Sequence, residues 1–439
     1  MLELRRTISR PEVISAFHDV QANILTSHGS RFALHALVRF RPETVAATAE
    51  WIGSFARARV RSASEQIADP SAGRSDGGLA NVFLSAGGYR RLGLEPPRER
   101  SFLGGMKAAN LNDPAVAEWE EPYRQDLDAL VSLAYSDSAA LPAAERELAA
   151  LAAVADVVAV EHGNELDGGR EHFGFVEGIS QPLFLDEEIA AARASSGPKA
   201  LWDPATNLDR VLVADPHGRG PHSLGSFFVF RKLEQDVAAF QRNLRTLAAA
   251  LGIDEELAGA FIVGRFRDGT PVSLQDGPGA GAVNGFSYAD DKYGRRCPFH
   301  SHIRRVNPRG DLDYITETPD RENRIARRGL PYGRPGEPHV GLLFTCFQSN
   351  INTQFELIQI NWANFPDFPR VGIGPDPLIG QRNTWDHTPG HPWPAGWDGA
   401  EKVRVGLEPC VTMKGGEYFF APSLSCLENL GGTVRETRA

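Results

Sequence analysis

Cysteine and long apolar runs are both scarce in this chain. Its 439 residues include only four cysteines, at positions 297, 346, 410 and 426, and none stands in CxxC spacing. That argues against a zinc knuckle or a thioredoxin-type site and favours free thiols in a reducing compartment. No apolar run approaches the roughly 18 residues of a membrane span, and the amino terminus lacks the apolar segment of a secretory signal. We therefore expect a cytoplasmic protein that does not enter a membrane.

Positive charge is also in deficit. The chain holds 46 lysines and arginines against 56 aspartates and glutamates, a formal net charge of −10, so a nucleic-acid partner is not expected. The basic residues collect in local patches, such as residues 304–309 and 321–328. Such patches suit a small anionic ligand held inside an acidic protein. Nothing in the composition decides between a monomer and a homo-oligomer.

A strand-like segment followed by a helix-like segment occurs more than once. Residues 32–40 are an apolar run, and a stretch with one apolar helical face follows it. Residues 226–230 are again apolar, and the apolar residues after them recur at three- and four-residue steps. This repeated unit predicts an internally duplicated α+β fold. Loop-rich segments between residues 163 and 225 predict a domain boundary there.

Residues 297–309 read CPFHSHIRRVNPR and contain two of the twelve histidines, His300 and His302. A neutral imidazole is the commonest protein ligand of heme iron and other transition metals. The arginines beside it can neutralise anionic groups such as heme propionates. The two histidines share a face in a strand and diverge in a helix. The residues alone therefore leave open which of them, if either, binds a metal, and axial ligation of a heme competes with two structural histidines.

Two other runs place charge in apolar surroundings. In residues 173–182, FGFVEGISQP, Glu177 lies at a glycine-bounded turn. Such a place raises a carboxyl pKa and suits proton transfer, although a glutamate that only caps a turn is the commoner case. Residues 324–333, RIARRGLPYG, bring arginines that can hold an anion in a buried pocket. A solvated basic helix end is the alternative for this run.

Taken together, these runs resemble the dye-decolorizing peroxidases, a family of heme peroxidases. The resemblance extends over nearly the whole chain and includes DVQANIL at residues 19–25, residues 225–240, residues 288–291 and GGEYFFAPS at residues 415–423. It implies two ferredoxin-like domains, residues 1–190 and 191–439, each an antiparallel sheet flanked by helices. It also implies a heme b held in the carboxy-terminal half, with hydrogen peroxide and an aromatic or other organic electron donor as substrates.

The resemblance also implies roles for individual residues. The family's proximal heme ligand matches His302, not His300, so His302 is the expected metal ligand. The family's propionate-binding arginine matches Arg309, and its distal arginine, which precedes an LPYG-like end, matches Arg327. The expected consequence is an iron bound on one side by imidazole and faced on the other side by a fixed cation.

The distal acid departs from the family pattern. The family has an aspartate in a GxxDG motif, and Glu177 stands at that place here. The extra methylene moves the carboxyl roughly 1.5 Å further out, and a misplacement of about 1 Å can cost on the order of a hundredfold in rate. Leu342 and Phe344 match an apolar pair of the family's distal pocket. The resemblance implies that Glu177 moves a peroxide proton while Arg327 stabilises the developing charge.

Two other functions compete with a peroxidase. One is a heme carrier or sensor whose peroxidase activity is vestigial because the distal acid is changed, and the other is a paralogue that binds no heme. Tyr332, Trp362 and Tyr418 are candidates for oxidising large donors at the protein surface, although core packing is the commoner use of such residues. Glu417 is the candidate for the carboxylate that supports His302 from behind.

Overall fold

One large antiparallel sheet runs through the molecule. The computed structural model describes residues 3–69, 78–196, 202–220, 223–311, 321–381 and 390–438. Ten strands form this sheet, and β10 and β11 form a separate pair. The strands are β1 (Phe32–Arg39), β2 (Leu79–Leu84), β3 (Ala129–Tyr135), β4 (Asp156–Asn164), β5 (Val213–Ala214), β6 (Leu224–Gln235), β7 (Ala326–Arg327), β8 (Leu330–Tyr332), β9 (Gly341–Gln348), β10 (His391–Pro394), β11 (Lys402–Val405) and β12 (Val411–Ala421).

Helices flank the sheet. They are α1 (Arg10–Ala16), α2 (Val45–Arg59), α3 (Ala63–Ala68), α4 (Ala86–Leu92), α5 (Arg100–Gly104), α6 (Glu121–Arg124), α7 (Leu141–Ala152), α8 (Asp186–Ser196), α9 (Val237–Leu251), α10 (Glu255–Val263), α11 (His302–Val306), α12 (Leu424–Glu428) and α13 (Leu430–Arg438). Asn352–Asn364 forms a π-helix, a rare form that is frequent at functional sites. Within the described ranges, no helix is both long enough and apolar enough to cross a bilayer. All four cysteines are free thiols and are buried.

The same strand order occurs in both halves of the sheet. It runs β4–β1–β3–β2 and continues as β12–β6–β9–β7, so that in each half the first strand lies between the last and the third. The halves join where β2 pairs with β12, at Leu84 and Phe420. This repeat confirms the duplicated α+β fold that the sequence predicts. The second strand of the second half is split into β7 and β8, both of which pair with β9.

The boundary predicted between residues 190 and 191 falls inside α8, and we keep it as a proposal. The chain just before that point belongs with the first half, because the N–H of Asp186 donates to the carbonyl of Ile8. Leu185 also forms a bridge with Ile8. The amino-terminal segment and the end of the first half are therefore held together.

Aromatic rings fill the junction between the two halves. Phe83 of β2 stacks on Phe228 of β6 at a centroid distance of 4.2 Å, and Phe228 contacts Phe347 of β9 at 4.8 Å. All three rings are buried, and each contributes about 1.5–3 kcal/mol by leaving water. The junction is therefore an apolar core, and the two halves form one continuous sheet.

A second core lies around α9 and α10. Asp236 caps α9 by accepting from the N–H of Ala239 at 2.8 Å, and Gly252 ends the helix in a left-handed conformation. The apolar face of α9 carries Phe240, and the ring of Phe173 stacks on it at 4.2 Å. Because Phe173 belongs to the turn that precedes Glu177, this core fixes that turn.

Buried arginines hold α11 in place. The helix has only five residues, too few to be stable alone. The Arg304 guanidinium donates to Asp311 at 2.6 and 2.7 Å and to Asp291 at 2.7 Å, and all three residues are buried. Arg305 donates to the carbonyl of Gly374 at 2.7 Å and to that of Trp362 in the π-helix. α11 is therefore anchored on both sides.

We expect Arg304→Met to lower the free energy of unfolding by about 3–5 kcal/mol, because the change leaves two buried carboxylates without their cation. Chemical denaturation followed by circular dichroism measures this loss. Arg242→Met is the matched control, since Arg242 forms an exposed ion pair with Glu408, and it should change stability little. An equal loss in both variants would contradict the anchoring role of Arg304.

Candidate active site

Most of the predicted site residues meet at one cavity. The volume of this cavity is about 250 Å³. His302, Glu177, Arg327, Leu342 and Phe344 all line this cavity. His302 comes from α11 and Glu177 from the loop after β4, whereas Arg327 lies in β7 and Leu342 and Phe344 lie in β9. Only the tertiary fold brings these residues together.

The strand β9 supplies an apolar wall. Leu342 and Phe344 are partly exposed, whereas Gly341, Leu343 and Thr345 between and beside them are buried. Successive side chains of a strand point to opposite faces. The exposure of Leu342 and Phe344 is therefore exposure to the cavity.

A buried carboxylate orients His302. The ring Nδ1 lies 2.8 Å from Oδ2 of Asp376, which is fully buried, while the His302 side chain is 23% exposed. Oδ1 of Asp376 accepts the N–H groups of Leu378 and Ile379. Burial alone would raise the pKa of Asp376, but its attraction to His302 and these hydrogen bonds leave it below the ordinary value. Asp376 is thus an acceptor for Nδ1–H, which leaves Nε2 as the nitrogen available to a metal.

The candidate Glu417 is wrong as the support of His302. One of its carboxyl oxygens accepts the N–H groups of Met106 and Tyr418, and Lys107 lies 3.5 Å from the other. Asp376 takes that part instead. No local motif marks Asp376 in the sequence, because its role depends on a contact with a residue far away along the chain.

The other histidine of the motif lies in the second core. The His300 ring is buried, 4.2 Å from the Trp393 ring and 4.9 Å from the His391 ring. Burial lowers the pKa of His300 well below its usual value, so it is neutral. The structure therefore places His302 at the cavity and His300 among packed aromatic residues.

Glu177 brings an acid to the cavity. The side chain is half-buried, and within the described ranges its carboxyl makes no hydrogen bond. Burial raises the pKa of Glu177 to about 7, and the charge of Glu171 adds to the rise while Arg327 and His302 oppose it. The turn depends on Gly178, whose φ of 76° suits glycine. Both protonation states of Glu177 are therefore populated near neutral pH.

Arg327 is fixed to the same loop. Its Nη2 donates to the carbonyl of Ile179 at 2.7 Å, and its backbone N–H donates to Oε1 of Gln181 at 3.0 Å. Arg327 pairs with Cys346 of β9. Two hydrogen bonds therefore hold the loop that carries Glu177 against the strand that carries Arg327.

Arg309 lies behind the cavity wall. It is 1% exposed, and its guanidinium donates to the carbonyl of Asn284 and to the hydroxyl of Ser180, each at 2.6 Å. Ser180 lines the cavity, but Arg309 is not among the lining residues. Its contact with a propionate stays a prediction, and the structure shows it supporting the residue that faces the cavity.

Three further arginines do line the cavity: Arg231, Arg265 and Arg324. Arg265 donates to the Ser180 hydroxyl at 3.1 Å, and Arg324 lies over the ring of Trp202 at 4.8 Å. Both belong to the cavity lining. Arg324 begins the basic run that the sequence singles out, whereas Arg265 carries no such signal.

The three aromatic residues considered for surface oxidation are buried. Tyr332 is 7% exposed, Trp362 6% and Tyr418 1%. None of them offers a ring at the surface, so that expectation is wrong. Trp362 lines the cavity and stacks on Phe368 at 5.4 Å.

The donor set fits a heme. Within the described ranges, no group of three or more His, Cys, Asp or Glu side chains could hold a bare metal ion. One imidazole backed by a carboxylate is, however, sufficient for a metal that a porphyrin already holds. The cavity also combines apolar lining residues with arginines, as an amphipathic macrocycle with carboxylates requires. His302 would be the residue that binds its iron.

Comparisons with known proteins agree with this chemistry. The family model described as Dyp-type peroxidase, C-terminal, matches residues 204–367. The chain is 43% identical over 379 residues to the multifunctional dye peroxidase DyP2 of an Amycolatopsis species, covering 80% of this chain and 81% of that protein. It is 32% identical over 396 residues to a dye-decolorizing peroxidase of Mycetinis scorodonius, covering 80% and 76%.

Solved structures give the same result for the fold. The crystal structure of a DyP-type peroxidase from Anabaena superposes with a TM-score of 0.92 at 40% identity, over 98% of this chain and 100% of that one. The structure of the Amycolatopsis DyP2 superposes with a TM-score of 0.89 at 37% identity, over 98% and 100%. The likeness covers both halves of the sheet.

We expect His302→Ala to lose hemin and His300→Ala to retain it, because only His302 lines the cavity. Titration of each variant with hemin, followed by the visible absorption of the bound form, measures this. His300→Ala should lose stability by opening a void in the second core, and thermal unfolding without hemin records that cost separately. Equal hemin loading by both variants would contradict the ligand assignment.

Proposed function

The chain belongs to the dye-decolorizing, or DyP-type, peroxidase family, and we propose that it uses heme b to reduce hydrogen peroxide and to oxidise organic donors. Dyes and phenolics are the donor classes that we expect, oxidised in one-electron steps. The observation that supports this most directly is the shared cavity. It brings an imidazole with a carboxylate behind it together with an acid and an arginine.

His302 would hold the heme, and Asp376 sets how it does so. When bound, the heme supplies the iron at which peroxide is reduced and through which the donor's electrons arrive. Because Asp376 accepts the Nδ1 proton, it fixes the tautomer of His302 and makes Nε2 a stronger electron donor. Leu342 and Phe344 keep the cavity apolar, which excludes water from the bound peroxide.

Glu177 and Arg327 divide the work on peroxide. Glu177 accepts a proton from one peroxide oxygen and returns it to the other, which then leaves as water. A pKa of about 7 suits both steps at neutral pH. The guanidinium of Arg327 stabilises the negative charge on the departing oxygen. Its bond to the Ile179 carbonyl holds it in place.

The second candidate is a heme carrier or sensor with little peroxidase activity. What favours it is the glutamate at position 177, where the family pattern has an aspartate. The carboxyl of this longer side chain has no hydrogen-bond partner within the described ranges. A carrier needs His302 and the cavity walls but does not need Glu177.

A comparison of the native protein with Glu177→Asp tests the proposed function. If the cavity is shaped for glutamate, the native protein decolorises a dye with peroxide. The aspartate variant should then be slower by about ten- to a hundredfold, because its carboxyl is withdrawn from the cavity. Steady-state dye oxidation by protein with equal heme content measures both. No turnover by the native protein, or a gain of activity in Glu177→Asp, would favour the carrier.

The reaction with peroxide should depend on pH through Glu177. The carboxylate is the form that accepts a proton, and it predominates above the pKa. Hence the rate should rise with pH around 7 and reach a plateau above that. Stopped-flow spectroscopy across this range measures the rise, and Glu177→Gln should abolish it. A rate that falls as the pH increases would contradict the role of Glu177 as proton acceptor.

A further inference from the structure

A second carboxylate besides Glu177 lines the cavity, and it is likewise half-buried. Glu171 lies in the loop after β4 and is one of the lining residues. Oε2 of its carboxyl accepts the N–H of Phe173 and Oε1 accepts the N–H of Phe175, each at 2.9 Å. Nε2 of Gln235 also donates to Oε2. Burial raises the pKa of Glu171 above its ordinary value, and the three hydrogen bonds oppose that rise. All three partners are donors, which is the pattern of an ionised carboxylate.

We propose that Glu171 is the positioning residue of the distal acid, because its carboxylate folds the loop around itself and so sets where Glu177 stands. This inference rests on the proposed function in that Glu177 is taken as the acid. Glu171 itself need not touch peroxide or heme.

The backbone around Glu171 leaves the loop little freedom. The N–H of Glu171 donates to the carbonyl of Phe175 at 3.0 Å, and the N–H of Gly174 donates back to the carbonyl of Glu171 at 2.9 Å. The N–H of Glu177 donates to the carbonyl of Gly169 at 2.8 Å. The chain therefore turns tightly around the Glu171 carboxylate, and Glu177 leaves this turn at a fixed point.

Packing fixes the orientation of the turn. The rings of Phe173 and Phe175 both contact Phe240 of α9, at centroid distances of 4.2 and 6.0 Å. The two residues whose N–H groups bind Glu171 are thus the same two whose rings enter the second core. Loss of the carboxylate would leave two N–H groups without their acceptor beside an apolar core, which destabilises this conformation of the turn.

Gln235 connects the turn to the sheet. It is the last residue of β6, pairs with Val411 of β12, and its N–H donates to the carbonyl of Val340 at 2.8 Å. β6 pairs in turn with β9, the strand that carries Leu342 and Phe344. The contact between Glu171 and Gln235 therefore fixes the acid loop relative to the apolar wall of the same cavity.

The charge of Glu171 acts on Glu177 as well. Burial is the main cause of the raised pKa of Glu177, and the negative charge of Glu171 raises it further. Arg327 and His302 are the charged or titratable groups that act in the opposite direction. Glu171 thus affects both the place of the acid and its affinity for a proton.

The test compares Glu171→Gln with native holoprotein. The change keeps the shape of the side chain but removes the charge and replaces one acceptor oxygen with an amide that faces an N–H. We expect normal hemin binding, since His302 is untouched. We also expect Glu177 to titrate at lower pH, and the plateau rate with peroxide to fall about tenfold or more.

Two measurements separate positioning from general stability. Infrared difference spectra between pH values report the protonated carboxyl of Glu177, which the loss of the signal in Glu177→Gln identifies. Stopped-flow kinetics report the peroxide rate. Asp215→Asn is the matched control, because Asp215 likewise accepts two backbone N–H groups, those of His217 and Ser423, and does not line the cavity. It should lower thermal stability and leave both readouts unchanged.

Several outcomes would overturn the inference. One is a Glu171→Gln variant whose Glu177 titration midpoint and plateau rate equal those of the native protein. Another is an Asp215→Asn variant that shows the same changes in midpoint and rate as Glu171→Gln. If Glu171→Gln does not fold, Gln235→Leu takes its place. It removes the hydrogen bond between Glu171 and the sheet while keeping the Glu171 carboxylate, at the cost of one more apolar residue in the cavity lining. An unchanged plateau rate in that variant refutes the positioning role.

The outcome also separates this inference from the proposed function. Native holoprotein that does not react with peroxide, but whose Glu177 titration moves in Glu171→Gln, refutes the peroxidase and supports the positioning role. A native protein that turns over, with a titration that does not move, gives the opposite result.

Discussion

The hydrogen bond between Nδ1 of His302 and the carboxylate of Asp376 is the constraint on which the site depends. A buried carboxylate is expensive unless it is paired and hydrogen-bonded. Asp376 meets that condition with the His302 ring and two backbone N–H groups. The pairing fixes the histidine tautomer, and the tautomer decides which nitrogen can bind iron. α11 must then stay in place, and its buried arginines ensure this.

Burial at the cavity explains why Glu177 can gain and lose a proton near neutral pH. In water a glutamate is fully ionised at neutral pH. Burial raises the pKa of Glu177 to about 7, and this shift would be larger if Arg327 were further away. Arg327 itself is held by a carbonyl of the same loop. The apolar wall and the fixed cation thus act in opposite directions on one carboxyl, and the balance leaves it able to gain and lose a proton.

Periodicity and resemblance predict much of the fold and part of the site. The repeated strand-and-helix unit predicts the duplication, because the pattern of apolar residues is local. His302, Glu177 and Arg327 are found because each lies in a recognisable motif, and each lines the cavity. Asp376, Arg265 and Glu171 escape notice, since their roles arise from contacts with residues distant in sequence. The prediction that Glu417 supports His302 is wrong for the same reason, because the sequence of a strand does not show which residues its side chains contact.

Glu177 cannot be understood from its own side chain alone. One added methylene changes the reach of the carboxyl, but reach is measured from the backbone, and Glu171 fixes that backbone. Glu171 is bound to the N–H groups of Phe173 and Phe175 and to Gln235 of the sheet. The length of the side chain and the position of the loop therefore jointly set where the carboxyl lies. A variant that changes the acid must therefore be compared at an unchanged loop position, and a variant that changes the loop must be compared with the same acid.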